Sequence, residues 1–273
     1  MINQIFGIFS SYSLPDSIRL SLNYLLLIIG NRIHRNERGE RFLSFLIEFP
    51  YRPAFFGLIS EIFFHPFPQP EPKNFTPVII IDGGANIGIR TLFYIWRYPN
   101  ARVLCFEPNP VMFRYLNNNM DNNHLSQINT FPYALGREDK DVMLYFNKTP
   151  RGSGSATVVA PTNSTDEGAL MVPMRRLSHF IDTDIYLLKL DIEGAEMDVL
   201  DELCATGKIG LIQKMVIEYH FDGHAFRHTL EEFLGKLKRE GYSCIHTTLE
   251  KGPSAYVEAN YVMSTCMIYA QRI

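Results

Sequence analysis

The sequence predicts an α/β protein with a doubly wound, Rossmann-like sheet that is mostly parallel and ends in an antiparallel strand. Beyond residue 77, short apolar strand patterns alternate with helical patterns. A glycine-rich turn follows the first of these strands, and an acidic residue, Glu107, follows the second. The chain has 273 residues, of which 46% are hydrophobic, so it is long enough to bury one sizeable core.

The first predicted strand, 78–81, consists of four β-branched residues, which is typical of a parallel strand buried on both faces. A turn over 82–88 leads into a helix at 87–97. The second strand, 102–106, leads into a helix at 110–120, whose first residue, Pro110, suits a helical first turn. The later predicted elements are strands at 128–135, 141–146, 186–190 and 215–219, helices at 195–204 and 229–240, and a closing antiparallel hairpin at 242–248 and 261–270.

The region before the sheet divides into two parts. Residues 1–65 are predicted to form a helical extension, because 18–29 is strongly apolar and aromatic residues recur at near-helical spacing over 41–49 and 55–64. Residues 66–77 are rich in proline and form an extended connector to a domain at 78–273. The apolar stretch is shorter than the ~20 residues of a membrane span. We expect the extension to cap the core, and peripheral contact with a membrane is the alternative.

Composition restricts the partners and the compartment. The net charge is −3 and no basic run occurs, so nucleic acid is not an expected partner. The four cysteines are widely spaced and form no CxxC pair, which indicates reduced thiols in a cytoplasmic protein. The sequence makes no prediction about oligomeric state.

The turn after the first strand is predicted to hold a nucleotide-like cofactor. Gly83 and Gly84 have no Cβ and let a ligand approach the backbone, while Asn86 can both donate a hydrogen bond and cap the following helix. Glu107 lies nineteen residues beyond Gly88, where a doubly wound fold places the carboxylate that binds a ribose diol. A strand, a glycine turn and this acid together predict a cofactor site at the carboxyl edge of the sheet.

Four segments together resemble the FkbM-type methyltransferase family. They are DGGANIG at 82–88, FEPNP at 106–110, KLDIEGAE at 189–196 and IEYH at 217–220. The resemblance spans roughly 78–270, and residues before 76 carry no matching motif. It implies a methyltransferase sheet, S-adenosylmethionine as the methyl donor, and transfer to a hydroxyl of a small-molecule or glycan acceptor, on a sugar, a glycolipid or another secondary metabolite.

The resemblance also implies roles for individual residues. We expect His220 to act as the base. Asp191, beside the expected methyl-transfer axis, could orient the acceptor hydroxyl, bind a divalent metal or act as a base itself. Lys189, Glu193 and Ser155 are expected to contact the substrate. The predicted donor-binding residues are Asp82, Gly83, Gly84, Asn86, Gly88, Glu107, Pro108, Asn109, Ala134 and Asp191.

Three other interpretations of the sequence are possible. His220, His224 and His228 are spaced four apart, but Asp222 and Gly223 between them indicate a turn, so we predict no metal site in this trio. An NAD-dependent oxidoreductase would use a related sheet, although Asn86 interrupts the glycine pattern that it needs. The third interpretation is a non-catalytic protein that keeps the fold and binds a membrane or a partner through its N-terminal region.

Overall fold

A computed structural model describes residues 13–33, 39–64, 77–147, 156–159, 167–221, 228–248 and 264–273. The predicted connector at 66–77 lies outside these ranges apart from its last residue. Within them, no helix combines the length and the apolar character needed to cross a bilayer.

The N-terminal region begins with helix α1 (Leu14–Ile33), which is followed by strands β1 (Gly39–Phe42) and β2 (Phe45–Glu48) and by helix α2 (Arg52–Phe64). β1 and β2 pair as an antiparallel hairpin. The predicted helix over 41–49 is therefore wrong, and the extension is only partly helical. Burial alternates along β2, the period-two pattern of a strand, and a short apolar run cannot be assigned reliably to helix or strand from periodicity alone.

A seven-stranded sheet forms the centre of the molecule, in the order β12-β13-β11-β10-β3-β4-β5. β13 is antiparallel to both of its neighbours, whereas the other pairs are parallel, as predicted. The strands are β3 (Ile79–Gly83), β4 (Arg102–Phe106), β5 (Ile128–Phe131), β10 (Ile185–Leu190), β11 (Ile212–Phe221), β12 (Tyr242–Thr248) and β13 (Ser264–Arg272).

Helices cover both faces of the sheet. Helices α3 (Ile89–Arg97) and α4 (Pro110–Asn122) lie on one face, and α5 (Glu196–Ala205) and α6 (Leu230–Arg239) lie on the other. Neighbouring residues of β3 pack on opposite faces of the sheet, since Ile80 packs with α3 and Ile81 packs with α5. The N-terminal elements share the core of α3 and α4, so the extension is built onto that face of the sheet.

A second, four-stranded sheet projects beside the central one, in the order β6-β9-β7-β8. Its strands are β6 (Ala134–Leu135), β7 (Lys140–Asn147), β8 (Ala156–Thr157) and β9 (Glu167–Arg175). The predicted strand over 128–135 is thus two strands that belong to different sheets, and β9 was not predicted. Most of β9 is held by long-range pairing with β7, which local pattern does not reveal.

Candidate active site

A pocket opens at the carboxyl ends of β3, β4 and β10, the edge where doubly wound sheets bind ligands. It encloses about 870 Å³ of space free of atoms, part of which is open solvent. The predicted donor-binding residues Gly84, Asn86, Glu107, Pro108, Asn109, Ala134 and Asp191 all line it. Lys189 and Glu193, predicted to contact the substrate, line it too.

The turn after β3 is shaped by three residues with positive φ: Gly84 (74°), Asn86 (52°) and Gly88 (88°). The side-chain oxygen of Asn86 accepts a hydrogen bond from the backbone N–H of Ile87, 2.8 Å away. Helix α3 is capped by Gly88 and receives no side-chain cap. The prediction that Asn86 caps this helix is therefore wrong, because the turn places it two residues before the capping position.

The glycines of this turn make room for protein atoms. A Cβ at Gly84 would lie 1.8 Å from the carbonyl oxygen of Asp191, and one at Gly88 would lie 2.8 Å from the Leu116 and Met120 side chains. Gly83 is similarly enclosed by β10 and β6. Contact between these glycines and a ligand stays a prediction, and Gly84 is the one of the three that lines the pocket.

Glu107 is fixed by two backbone donors from separate loops. The Asn86 N–H donates to Oε2 and the Asn109 N–H donates to Oε1, both at 2.8 Å. Burial raises the pKa of Glu107 to about 7 even though these two hydrogen bonds act to lower it. Each carboxylate oxygen has a second lone pair, so the side chain can still accept one hydrogen bond on each oxygen. That is the arrangement a vicinal diol requires.

Asp82 lies beneath the pocket and is fully buried. Its Oδ2 accepts a 2.7 Å hydrogen bond from the Thr91 hydroxyl, and its Oδ1 lies 3.4 Å from the Lys189 ammonium. Lys189 is opposite Asp82 in the register of β10 and β3, which explains the pairing. Because Asp82 is enclosed, direct contact with a ligand is not favoured by this structure, and its predicted role toward the donor stays a prediction.

Lys189 serves mainly as an internal clamp. Its ammonium donates to the carbonyl oxygens of Gly83 (3.0 Å) and Gly84 (2.7 Å) and lies 3.5 Å from Asp191 Oδ2. Burial lowers the pKa of Lys189, but Asp191 and Asp82 outweigh burial and the net change is upward. The lysine therefore stays charged and ties β10 to the turn after β3. A direct role in substrate binding stays a prediction.

His220, at the end of β11, is buried and engages two carboxylates. Its Nδ1 lies 2.9 Å from Glu196 Oε1, and its Nε2 lies 3.3 Å from Glu193 Oε2. Burial lowers the pKa of His220, but Glu196, Glu193 and Asp191 outweigh that effect and raise it to about 10. An imidazolium with both nitrogens engaged has no lone pair with which to accept a proton. The arrangement does not favour the base role, which stays a prediction.

The loop between β10 and α5 brings the remaining carboxylates into place. Glu193 has a φ of 55°, a left-handed conformation that costs an ordinary residue about 1–2 kcal/mol. Glu196 is fully buried, and its Oε1 accepts from the backbone N–H groups of Ile192 and Gly194. A buried carboxylate therefore holds the loop in the shape that points Asp191 and Glu193 toward the pocket.

Two walls of the pocket are formed by residues that were not among the predicted site residues. Leu58, Glu61 and Ile62 of α2 line it, and Glu61 is 3.3 Å from Arg90 of α3. The three residues of α2 belong to no motif, and no local sequence signal marks them. Their place in the pocket depends on how α2 packs on α3. The other wall contains Ala156 and Val158, which follow Ser155, a predicted substrate contact, in the chain.

Two predicted positions lie outside the described residues. They are Ser155, expected to contact the substrate, and His224, the middle member of the histidine trio. Thr157, two residues after Ser155, donates a hydrogen bond to the backbone oxygen of Glu193 at 2.6 Å. This contact ties the second sheet to the loop that carries Asp191 and Glu193.

Comparison with known proteins identifies a family match over the same region. The model of the methyltransferase FkbM domain matches residues 82–244, which include every motif described above. Methyltransferase 1 of Beauveria bassiana is 33% identical over 175 residues, covering 56% of this chain and 66% of the relative. Methyltransferase sdnD of Sordaria araneosa is 32% identical over 154 residues, covering 44% of this chain and 58% of the relative. The matched segment thus spans less than two thirds of either relative's length.

A third relative and two solved structures complete the comparison. An antimetabolite synthetase of Pseudomonas aeruginosa is 25% identical over 178 residues, which cover 52% of this chain and 8% of that protein. The structure of M. jannaschii TYW2 with AdoMet is 13% identical with a TM-score of 0.40, covering 87% of this chain and 88% of that one. M. capricolum TrmK with S-adenosylhomocysteine is 9% identical with a TM-score of 0.41, covering 72% and 62%. Such distant likenesses carry no information about the acceptor.

Proposed function

The chain belongs to the methyltransferase FkbM family, and we propose that it transfers a methyl group from S-adenosylmethionine to a hydroxyl oxygen of a small-molecule acceptor. The acceptor hydroxyl would lie on a sugar, a glycolipid or another secondary metabolite. The observation that supports this proposal is a pocket lined by Glu107, whose free lone pairs suit a diol, and by Asp191 and Glu193, whose carboxylates suit hydroxyl groups. Family membership favours this reaction over the NAD-dependent oxidoreductase.

The donor end of the pocket fits S-adenosylmethionine. Glu107 would accept hydrogen bonds from the two ribose hydroxyls through the lone pairs that the backbone donors leave free. Asn109 and Ala134 would border the adenine, and Asn86 the amino-acid portion, while Asp82 would contribute negative charge beneath it. S-adenosylmethionine supplies an electrophilic methyl group on a sulfonium sulfur. The chain's part is to hold and align the two reactants.

We assign the acceptor end to Asp191 and Glu193, and Glu61 lines the same pocket. Ionised carboxylates accept hydrogen bonds and donate none, so they pair well with hydroxyl groups. Leu58, Ile62 and Ile192 add apolar surface beside them, which suits a molecule with both polar and apolar faces.

A transfer assay tests the proposal. The full chain would be incubated with methyl-labelled S-adenosylmethionine and a panel of an alkyl glucoside, a phenol and the matching alkyl amine. We expect label on an oxygen of the glucoside or the phenol, located by fragmentation in mass spectrometry. Glu107→Ala should abolish transfer, whereas Glu138→Ala, at an exposed carboxylate, should not. Label on nitrogen or carbon alone would contradict O-methylation.

A second proposal concerns the membrane. The apolar residues Ile18, Leu22, Leu25 and Leu26 are exposed at helical spacing on α1, and 66% of Leu26 is accessible. An exposed stripe of this kind supports peripheral contact with a lipid surface, which would also suit a lipid-linked acceptor. Most of the phenylalanines in the rest of the extension are buried in the core, which supports its proposed role as a cap.

A further inference from the structure

Three side chains that the sequence assigned to the acceptor end lie close together in the structure. Asp191 and Glu193 come from the loop after β10, and His220 comes from the end of β11. One ligand atom from each, two carboxylate oxygens and a ring nitrogen, lie within 4.8 Å of one another. Oxygen and imidazole ligands at this separation can surround one divalent cation.

The orientation of His220 matches that of a metal ligand. Its Nδ1 faces Glu196, and its Nε2 faces Glu193 on the side of the cluster. Glu196 is itself fixed by two backbone N–H groups and is fully buried. Metal-binding histidines commonly donate the second ring N–H to a carboxylate, which sets the tautomer and leaves the other nitrogen for the metal. Glu196 is placed to do this.

A second, independent observation is an excess of buried negative charge. Oε2 of Glu196 is buried and accepts no hydrogen bond among the described residues. Among the ion pairs around the cluster, the described carboxylates of Asp82, Asp191, Glu193 and Glu196 face the Lys189 ammonium, and a His220 that binds a metal through Nε2 gives up its Nε2 proton and is neutral. Four negative charges against one positive charge leave an excess that a divalent cation would reduce.

We propose that Asp191, Glu193 and the Nε2 atom of His220 bind a divalent cation of the first transition row, with Glu196 as the carboxylate that orients His220. A ligand set of two carboxylates and one imidazole fits Mn²⁺ better than it fits Mg²⁺, a hard ion that prefers oxygen ligands. Three protein ligands leave coordination positions open toward the pocket, as catalytic sites require. The proposed site shares only His220 with the histidine trio, for which the sequence predicts no metal site.

The role of the cation rests on the proposed function. A hydroxyl coordinated beside Asp191 would lose its proton to solvent more readily, as metal-bound water does. The electron pair left on oxygen then forms the bond to the methyl carbon, while sulfur keeps the pair of the bond that breaks. The cation thereby provides the activation for which His220, engaged on both nitrogens, is poorly placed.

Cation binding can be measured without any acceptor. The full chain, stripped with EDTA and dialysed, would be titrated with Mn²⁺ while the paramagnetic resonance signal of free Mn²⁺ is followed. We expect saturation at one ion per chain. Glu193→Gln should weaken binding at least about tenfold, since loss of even an outer-shell partner has that effect. Glu138→Gln, the same change at an exposed carboxylate, should leave the affinity within about twofold.

Two further measurements make the result decisive. Glu196→Gln should weaken Mn²⁺ binding about ten- to hundredfold through the orientation of His220. Binding of S-adenosylhomocysteine, measured on each variant, reports folding and the donor site separately. No saturable Mn²⁺ binding to the wild type, or unchanged affinity in Glu193→Gln, overturns the cation site and leaves the proposed function standing. Mn²⁺ binding without S-adenosylhomocysteine binding overturns the donor assignment instead.

Discussion

The protonation of Glu107 should control the affinity for the donor. In the donor-free protein, burial raises the pKa of this carboxyl to about 7. Ribose hydroxyls donate to the ionised carboxylate, so binding favours the charged form and lowers this pKa. A protonated Glu107 would present one of its oxygens as a donor and lose part of the interaction. Lowering the pH through 7 should therefore weaken binding.

The size of the effect follows from the pKa. With a pKa of about 7, the ionised fraction of Glu107 falls from roughly nine tenths at pH 8 to roughly one tenth at pH 6. The Kd for S-adenosylhomocysteine should accordingly rise close to tenfold over this interval, and binding near pH 7 should release protons. Glu107→Gln should remove the pH dependence and lose about 1.5–3 kcal/mol of binding free energy, the contribution of hydrogen bonds to a charged group.

Isothermal calorimetry in two buffers of different ionisation enthalpy measures both the Kd and the protons released. The free energy of unfolding gives an independent check, because its pH dependence has the opposite sign to that of donor binding. Folding favours the protonated form of a carboxyl whose pKa is raised, so this contribution to stability is present below pH 4.5 and is lost as the pH rises through about 7. Equal Kd values at pH 6 and pH 8 for the wild type would refute the reasoning.

Three further predictions concern the scaffold and the surface. Lys189→Met leaves Asp82 buried without its cation, so the free energy of unfolding in urea should fall by about 3–5 kcal/mol; a loss below about 1 kcal/mol would contradict the clamp. Gly84→Ala should prevent folding, because the added Cβ would overlap the carbonyl oxygen of Asp191. Gly207 also has a positive φ but has open space around it, so Gly207→Ala should lower the free energy of unfolding by only about 1–2 kcal/mol, measured by thermal melts followed by circular dichroism. In a liposome flotation assay, the wild-type chain should float with the liposomes, and Leu26→Glu, which places a charge in the exposed apolar stripe of α1, should not. Equal flotation of the two proteins would contradict membrane contact through α1.

Much of the donor site was predictable because its signals are local. A buried strand, a glycine turn and an acid at the next strand end are consecutive features of one βαβ unit, and the structure places Glu107 and Asn86 together as expected. The details were less predictable. Asn86 does not cap α3, because the turn places it two residues before the capping position. Lys189 binds backbone oxygens because β10 lies beside the turn after β3.

The acceptor end shows the same limit more strongly. The sequence indicated Asp191, Glu193 and His220 one by one, but it gave no reason to group His220 with Glu193 and Glu196 rather than with the two histidines that follow it. The wall formed by α2 carries no motif at all, and the hairpin before it resembled a helix in its apolar spacing.

By itself, the amino-acid sequence determined the sheet, its antiparallel closing strand, the family and the place of Glu107 directly after β4, since periodicity and turn chemistry act over a few neighbouring residues. The tertiary structure decided which charges meet. Asp82 and Lys189 are 107 positions apart, and His220 and Glu196 are 24 apart, yet each pair is joined by strand register or helix packing. Electrostatic interaction depends on distance and burial, and both are set only when the strands and helices come together.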